Sequence, residues 1–183
     1  MGRADRTTGT PAAGGTAVDR RVIERARVVR LLTCDVDGVL TDGRIYIDDT
    51  GRESKAFHAL DGVGFKRLAA AGVTVAWITG SASASVEHRA RMLGIADLVR
   101  GADDKLPAWE RLRTSLGLEP AQCAHIGDDI PDLPVLLACG LAASVPGAPD
   151  EVRRHAHYVT RRAGGHGAAR ELADLIVAAR ASA

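Results

Sequence analysis

Short apolar runs alternate with stretches of helical period along most of this chain. Residues 28–34, 73–78, 122–126 and 141–145 are rich in Val, Ile, Leu and Ala, which predicts strands buried on both faces of a sheet. Two shorter strands are predicted at 98–100 and 157–159. Between the runs, apolar residues recur three or four apart. Residues 61–71 place Phe65, Leu68 and Ala69 on one stripe, and 82–93 do the same with Val86, Ala90 and Leu93. Residues 103–116 align Trp109, Leu112 and Leu116, and 167–181 align Leu172, Leu175, Ile176 and Ala179. Gly72, Gly94 and Gly117 supply helix stops. Shorter helices are predicted at 18–27, 133–138 and 149–155. One segment breaks the alternation: residues 44–48 and 54–58 flank Asp49-Thr50-Gly51-Arg52, which predicts a β-hairpin. Its apolar residues, Ile45, Ile47 and Phe57, are expected outside the core, where they can pack on a partner subunit.

Strands alternating with helices predict an α/β domain over residues 18–183, built on a doubly wound parallel sheet with right-handed crossovers. Residues 1–17 lack an apolar stretch and read as a disordered arm rather than a secretory signal. The 183 residues suit one domain, and 46% apolar content is enough for a core. A net charge of +1 with 3% aromatics argues against nucleic-acid binding, because there is neither a basic field nor a set of rings to stack bases. No apolar stretch is long enough to span a membrane. Cys34, Cys123 and Cys139 have no framework spacing and read as small buried hydrophobes in a reducing, cytoplasmic setting.

Two acids follow the first apolar run: Cys34-Asp35-Val36-Asp37-Gly38. Carboxylates so placed are costly unless a cation binds them. A second acidic cluster, Gly127-Asp128-Asp129-Ile130-Pro131-Asp132, follows another buried run. Ligands of parallel α/β sheets bind at the carboxyl ends of the strands, and Asp35, Thr79 and Asp128 each sit at such an end. A carboxylate cluster suits a hard, oxygen-seeking ion, Mg²⁺ most naturally. Thr79-Gly80 opens a strand-to-helix turn whose hydroxyl and amides can hold phosphate oxygens. Lys105 stands in the first turn of a predicted helix, against the macrodipole preference, which points to a functional charge.

Taken in order, DxDGxxxDG at 35–43, Thr79-Gly80, Lys105 and GDDxxD at 127–132 resemble the haloacid dehalogenase superfamily, from about residue 28 to the final helix. The resemblance implies a Mg²⁺-dependent phosphohydrolase. Asp35 would be the nucleophile and Asp37 the general acid and base. The Asp35 carboxylate, the Asp37 backbone carbonyl and Asp128 would hold the metal, with Asp129 and Asp132 in support. Thr79, Gly80 and Lys105 would hold the transferring phosphoryl group, while the bound ion offsets its charge.

No cap domain interrupts the motifs, so another element must exclude water, and a homotetramer built through the hairpins is expected. The capless layout, Leu40-Thr41-Asp42-Gly43, Lys55-Ala56-Phe57, and Asp132-Leu133-Pro134 are similar to one branch of the superfamily. That branch acts on 3-deoxy-D-manno-octulosonate 8-phosphate in lipopolysaccharide synthesis. The resemblance implies a sugar acid phosphate as substrate, with Asp61, Gly62 and His166 as candidate substrate contacts. Basic residues common in the branch are replaced here by Leu60, Ser81 and His166; Arg89, Arg161, Arg162 or a neighbour's Arg44 or Arg52 would then meet the sugar carboxylate. The alternatives are a nonulosonate 9-phosphate phosphatase, a non-catalytic oligomeric module of the same fold, or a phosphate-keeping receiver. Dinucleotide binding is disfavoured, since no GxGxxG follows the first strand.

Overall fold

The computed structural model describes residues 18–182, so the arm expected at 1–17 lies outside the described residues. The chain runs α1 (Arg20–Arg27), β1 (Leu31–Cys34), β2 (Tyr46–Ile47), β3 (Glu53–Ser54), α2 (Ala59–Ala70), β4 (Thr74–Ile78) and α3 (Ala84–Leu93). It continues with β5 (Asp97–Val99), α4 (Lys105–Ser115), β6 (Cys123–Ile126), α5 (Leu133–Ala138), β7 (Leu141–Ser144), α6 (Asp150–Arg153), β8 (Tyr158–Val159) and α7 (Ala168–Ala181). Two single-turn 3₁₀ helices, Pro120–Gln122 and Ile130–Asp132, were not predicted; each carries a proline in its first turn, where the missing N–H costs nothing.

Six strands form one sheet in the order β5-β4-β1-β6-β7-β8, all parallel. Each adjacent pair needs a crossover, and the helices supply it. β1 lies at the centre and is completely buried, as are β6 and β7, which is why their sequences are continuous apolar runs rather than alternating ones. The chain leaves β1 toward β4 and β5 and later returns to β6 on the other side. The direction of winding therefore reverses at β1, and a crevice opens at the carboxyl ends of β1, β4 and β6. Helices α1, α2 and α7 pack together, and α4 packs on α5, so helices flank the sheet. The three cysteines are free and buried. Among the described residues, no helix is long and apolar enough to cross a membrane.

The hairpin forms at the predicted place, β2 pairing antiparallel with β3. Ile45 and Ile47 are exposed, but Phe57 is not free for a partner: it turns inward and stacks on Trp77 at 6.1 Å between ring centroids. The apolar ring finds more contact against the buried indole of β4 than it would outside. The inner face of α2 also differs from expectation. Ala69 is exposed, and Asp61, Gly62 and Gly64 are buried with Phe65 and Leu68. Small residues there let α2 approach α7: a Cβ on Gly64 would come within 3.1 Å of Ala173 Cβ.

Candidate active site

Asp35 follows β1 directly, and its N–H donates to the Ile126 carbonyl at 3.0 Å, which continues the β1–β6 ladder to the sheet's edge. The chain then turns sharply. Leu40 and Thr41 both donate to the Val36 carbonyl, and Thr41 Oγ1 accepts from Gly38 and Gly43 N–H groups. Gly38 adopts φ +94°, and a Cβ on it would lie 1.9 Å from Asp128 Oδ2. Only glycine lets this loop come so near the second acidic cluster. From the other side, residues 163–167 close on the same loop. Gly165 N–H donates to the Val39 carbonyl at 3.0 Å, and a Cβ on Gly164 would overlap the Gly38 carbonyl at 1.7 Å.

Lys105 begins α4, whose cap is the Asp104 side chain. Its ammonium donates to Asp35 Oδ1 at 2.5 Å and to Asp132 Oδ1 at 2.7 Å, and all three residues are buried. Asp132 Oδ1 also meets His125 Nε2 at 3.0 Å, while its Oδ2 accepts from the N–H groups of Asp128 and Asp129. A carboxylate has about four lone-pair directions, and Asp132 uses all of them. It therefore braces the loop and the lysine rather than reaching for a ligand. His125 is in turn held by Thr33 Oγ1 on β1, at 2.8 Å from Nδ1.

The electrostatics follow from this crowding. Burial and the Asp132 charge push Asp35 up to about 6, against the pull of Lys105. Burial and the charges of Asp35 and Asp132 push Asp128 up to about 8. Burial opposes the ionisation of Asp132, but the contacts with His125 and Lys105 hold it down to about 2. Ligand atoms of Asp35, Asp128 and Asp132 lie within 4.8 Å of one another. Acids forced together in a half-dry site, with one lysine between them, form an oxygen donor set that fits Mg²⁺. Asp35 and Asp128 are the side chains that would hold it.

A cleft of about 370 Å³ at this rim is lined by Asp35, Asp37, Thr79, Gly80, Lys105, Asp128, Asp129 and Asp132, among others. Thr79 follows β4; its hydroxyl accepts from Ser81 N–H at 3.0 Å, which leaves the hydroxyl proton to donate into the cleft. Asp129 caps the 3₁₀ turn by accepting from Ile130 N–H. Asp37 is only partly buried, and its Oδ1 accepts from Lys55 Nζ at 2.5 Å. His166 lies in an adjoining cleft of about 300 Å³, with Asp42, Arg44 and Asp128. Asp61 and Gly62 line neither cleft. Asp61 is buried and accepts from Arg170 N–H at 2.8 Å, tying α2 to the start of α7, and Gly62 faces Leu93. Of the arginines expected to compensate, Arg161 pairs with Glu171, Arg52 with Asp48, and Arg89 stands over the Phe57 ring.

Two residues of the site were not singled out from the sequence. His125 carried a signal, a polar residue inside the apolar run Cys123-Ala124-His125-Ile126. Lys55 stands in the Lys55-Ala56-Phe57 stretch that carries the family likeness, but no role was read for it, because nothing local tells that its side chain turns inward from the hairpin.

Comparison with known proteins gives the family. Residues 61–140 match the hydrolase family described as haloacid dehalogenase-like hydrolase. The 3-deoxy-D-manno-octulosonate 8-phosphate phosphatase of Yersinia pestis is 48% identical over 158 residues, covering 86% of this chain and 84% of the relative. This chain belongs to the haloacid dehalogenase-like hydrolases. The crystal structure of the Yersinia pestis phosphatase superposes on this hydrolase with a TM-score of 0.87 at 46% identity, covering 88% of each chain. The corresponding phosphatase of Moraxella catarrhalis, solved in complex with a magnesium ion, a phosphate ion and a KDO molecule, gives a TM-score of 0.86 at 42% identity. That match covers 88% of this hydrolase and 92% of the Moraxella chain.

Proposed function

We propose that this hydrolase cleaves 3-deoxy-D-manno-octulosonate 8-phosphate to the free sugar acid and phosphate, with Mg²⁺ as cofactor, in lipopolysaccharide synthesis. The observation that carries the proposal is the convergence of Asp35, Asp37, Thr79, Lys105 and Asp128 on one cleft, in a chain 48% identical to a phosphatase of that name. Asp35 attacks phosphorus, an O–P bond forms, and the ester P–O bond breaks. Asp37 gives its proton to the departing sugar oxygen, then takes one from the water that hydrolyses the aspartyl-phosphate. Lys105, the Thr79 hydroxyl and the Gly80 N–H hold the phosphoryl oxygens. Asp129 and Asp132 brace the acidic loop. The bound ion supplies positive charge that offsets repulsion between nucleophile and phosphate. Asp35, at about 6, is mostly ionised at neutral pH, as a nucleophile must be.

The test is phosphate release from octulosonate 8-phosphate, nonulosonate 9-phosphate and simple hexose phosphates, with and without Mg²⁺. The expected result is Mg²⁺-dependent turnover with the highest kcat/KM on the octulosonate ester. Preference for the nonulosonate would reassign the substrate, and no turnover on any ester would favour the non-catalytic module.

The assembly belongs to the same proposal. Ile45 is 70% exposed and Ile47 68%, more than a monomer needs to leave bare on adjacent residues, with Tyr46 half exposed between them. Hairpins meeting in a homotetramer would cover them and roof the open cleft. Removing the hairpin tip, residues 49–52, is expected to weaken the tetramer and lower activity together. Light scattering that shows unchanged tetramers in this variant would refute the hairpin's role. Three buried thiols, none bridged, support a reducing, cytoplasmic location.

A further inference from the structure

We propose that Lys55 is a positioning residue for proton transfer: it aims the Asp37 carboxylate at the leaving oxygen and so brings the base of the hairpin into the reaction. The inference rests on the role of Asp37 given above.

Lys55 stands just past β3, in a segment whose other residues are largely exposed, yet its side chain is only 3% exposed. Lysine side chains are seldom buried unless paired. Here the ammonium donates to Asp37 Oδ1 at 2.5 Å and contacts Glu53 Oε1 at 2.7 Å. Two carboxylates at hydrogen-bond distance hold the ammonium from both sides. Lys55 is therefore a fixed cation.

Its contact falls on one oxygen of Asp37. Among the described residues no hydrogen bond occupies Oδ2, so that oxygen is left to carry the exchangeable proton. A charge-assisted hydrogen bond to Oδ1 removes the torsional freedom of a side chain that otherwise stands at a half-open cleft. Fixed orientation of the acid relative to the reacting atoms is worth a large share of such catalysis. The charge favours the first half-reaction, in which Asp37 gives up a proton; in the second the contact acts through position alone. When Asp37 has given its proton to the departing alcohol, the carboxylate that results is the form Lys55 binds. The same carboxylate then accepts a proton from water without leaving its place. Glu53, the second partner, ties the lysine to β3, so the conformation of the hairpin reaches Asp37 through one side chain.

A merely structural tie would affect all substrates alike. Aid to leaving-group protonation matters for an alkyl phosphate, whose departing alkoxide is a strong base, and little for acetyl phosphate, whose departing acetate needs no proton. The full chain is assayed with Mg²⁺ on the sugar phosphate and on acetyl phosphate. The readout is kcat/KM, which reports transfer of phosphoryl to Asp35. Lys55→Met is expected to lower kcat/KM about 10- to 100-fold on the sugar phosphate, and less than about threefold on acetyl phosphate. Lys55→Arg is expected to restore most of the loss. Mg²⁺ affinity by calorimetry and the far-ultraviolet dichroism are expected to match the parent protein; Lys55→Gln replaces the methionine variant if that one misfolds. Equal losses on both substrates, a loss of Mg²⁺ affinity or no loss at all would overturn the proposal. Asp37→Asn is measured alongside. A larger loss with the same leaving-group dependence is expected. If Asp37→Asn shows no such dependence, its role as acid is wrong and the role of Lys55 falls with it. If only the Lys55 variants lack the dependence, Asp37 keeps its role and Lys55 alone loses it.

Discussion

Asp35→Asn is expected to reduce turnover on the order of 10⁴-fold or more, because it removes the proposed nucleophile rather than an accessory charge. The amide oxygen cannot displace an alcohol from phosphorus. The fold should survive. Lys105 keeps a hydrogen-bond acceptor at the same place, and the β1–β6 ladder that positions residue 35 uses only its backbone. Stability of the metal-free protein should hold or rise, because one of three crowded acids is neutralised and part of the pressure that, with burial, lifts Asp128 to about 8 is relieved. Mg²⁺ affinity should fall, since a charged donor is lost. Phosphate release, thermal unfolding and Mg²⁺ titration measure the three effects, and appreciable turnover in this variant would remove Asp35 from its assigned role.

Lys105→Met has a different signature, in which stability and activity fall together. The ammonium is the shared partner of Asp35 and Asp132, all buried. Removing one member of a buried ion pair costs about 3–5 kcal/mol, because the remaining charges lose their compensation. Turnover should drop about 10²- to 10³-fold with the loss of a fixed cation beside the transferring phosphoryl. The stability loss has a pH dependence of known sign. Without the lysine, Asp35 rises further above its unfolded value and Asp132 loses part of what holds it near 2. Carboxyls that bind protons more tightly when folded than when unfolded make stability fall as pH rises through the gap between the two values. The Asp35 part of the deficit against the parent, measured by urea unfolding without metal, should therefore be largest at pH 7 and above and shrink toward pH 4–5, while the Asp132 part persists until pH falls toward 2. A pH-independent deficit would show that packing of the lysine stem, not its charge, is what matters there.

The architecture was legible because β1, β4, β6 and β7 are buried on both faces and so are largely apolar. Acids directly after such runs stand out against that background, and Asp35 and Asp128 were found from this contrast alone. The parts that were not legible depend on side-chain direction. Phe57 lies in a hairpin segment with few apolar neighbours, and only the position of Trp77 on β4 decides that it turns in. Asp61 sits next to a glycine at the start of a helix, a natural ligand contact in sequence terms, yet it spends its Oδ1 on the first turn of α7. Lys55 is one of several charged residues near the hairpin, and its partner Asp37 is 18 residues away. Such pairings are set by how elements dock, which local sequence pattern does not encode.

The closure of the glycine pair 164–165 over the Gly38 loop has a consequence for biosynthesis. The loop that carries Asp35 leaves the ribosome well before the backbone that caps it. Gly165 must reach the Val39 carbonyl, and α7 must dock on α2, before that loop is held from both sides. A nascent or prematurely terminated polypeptide that stops before residue 163 contains every acid of the cleft and lacks the strut that fixes them. The acidic loop is thus held from both sides only once residues 163–165 have been made.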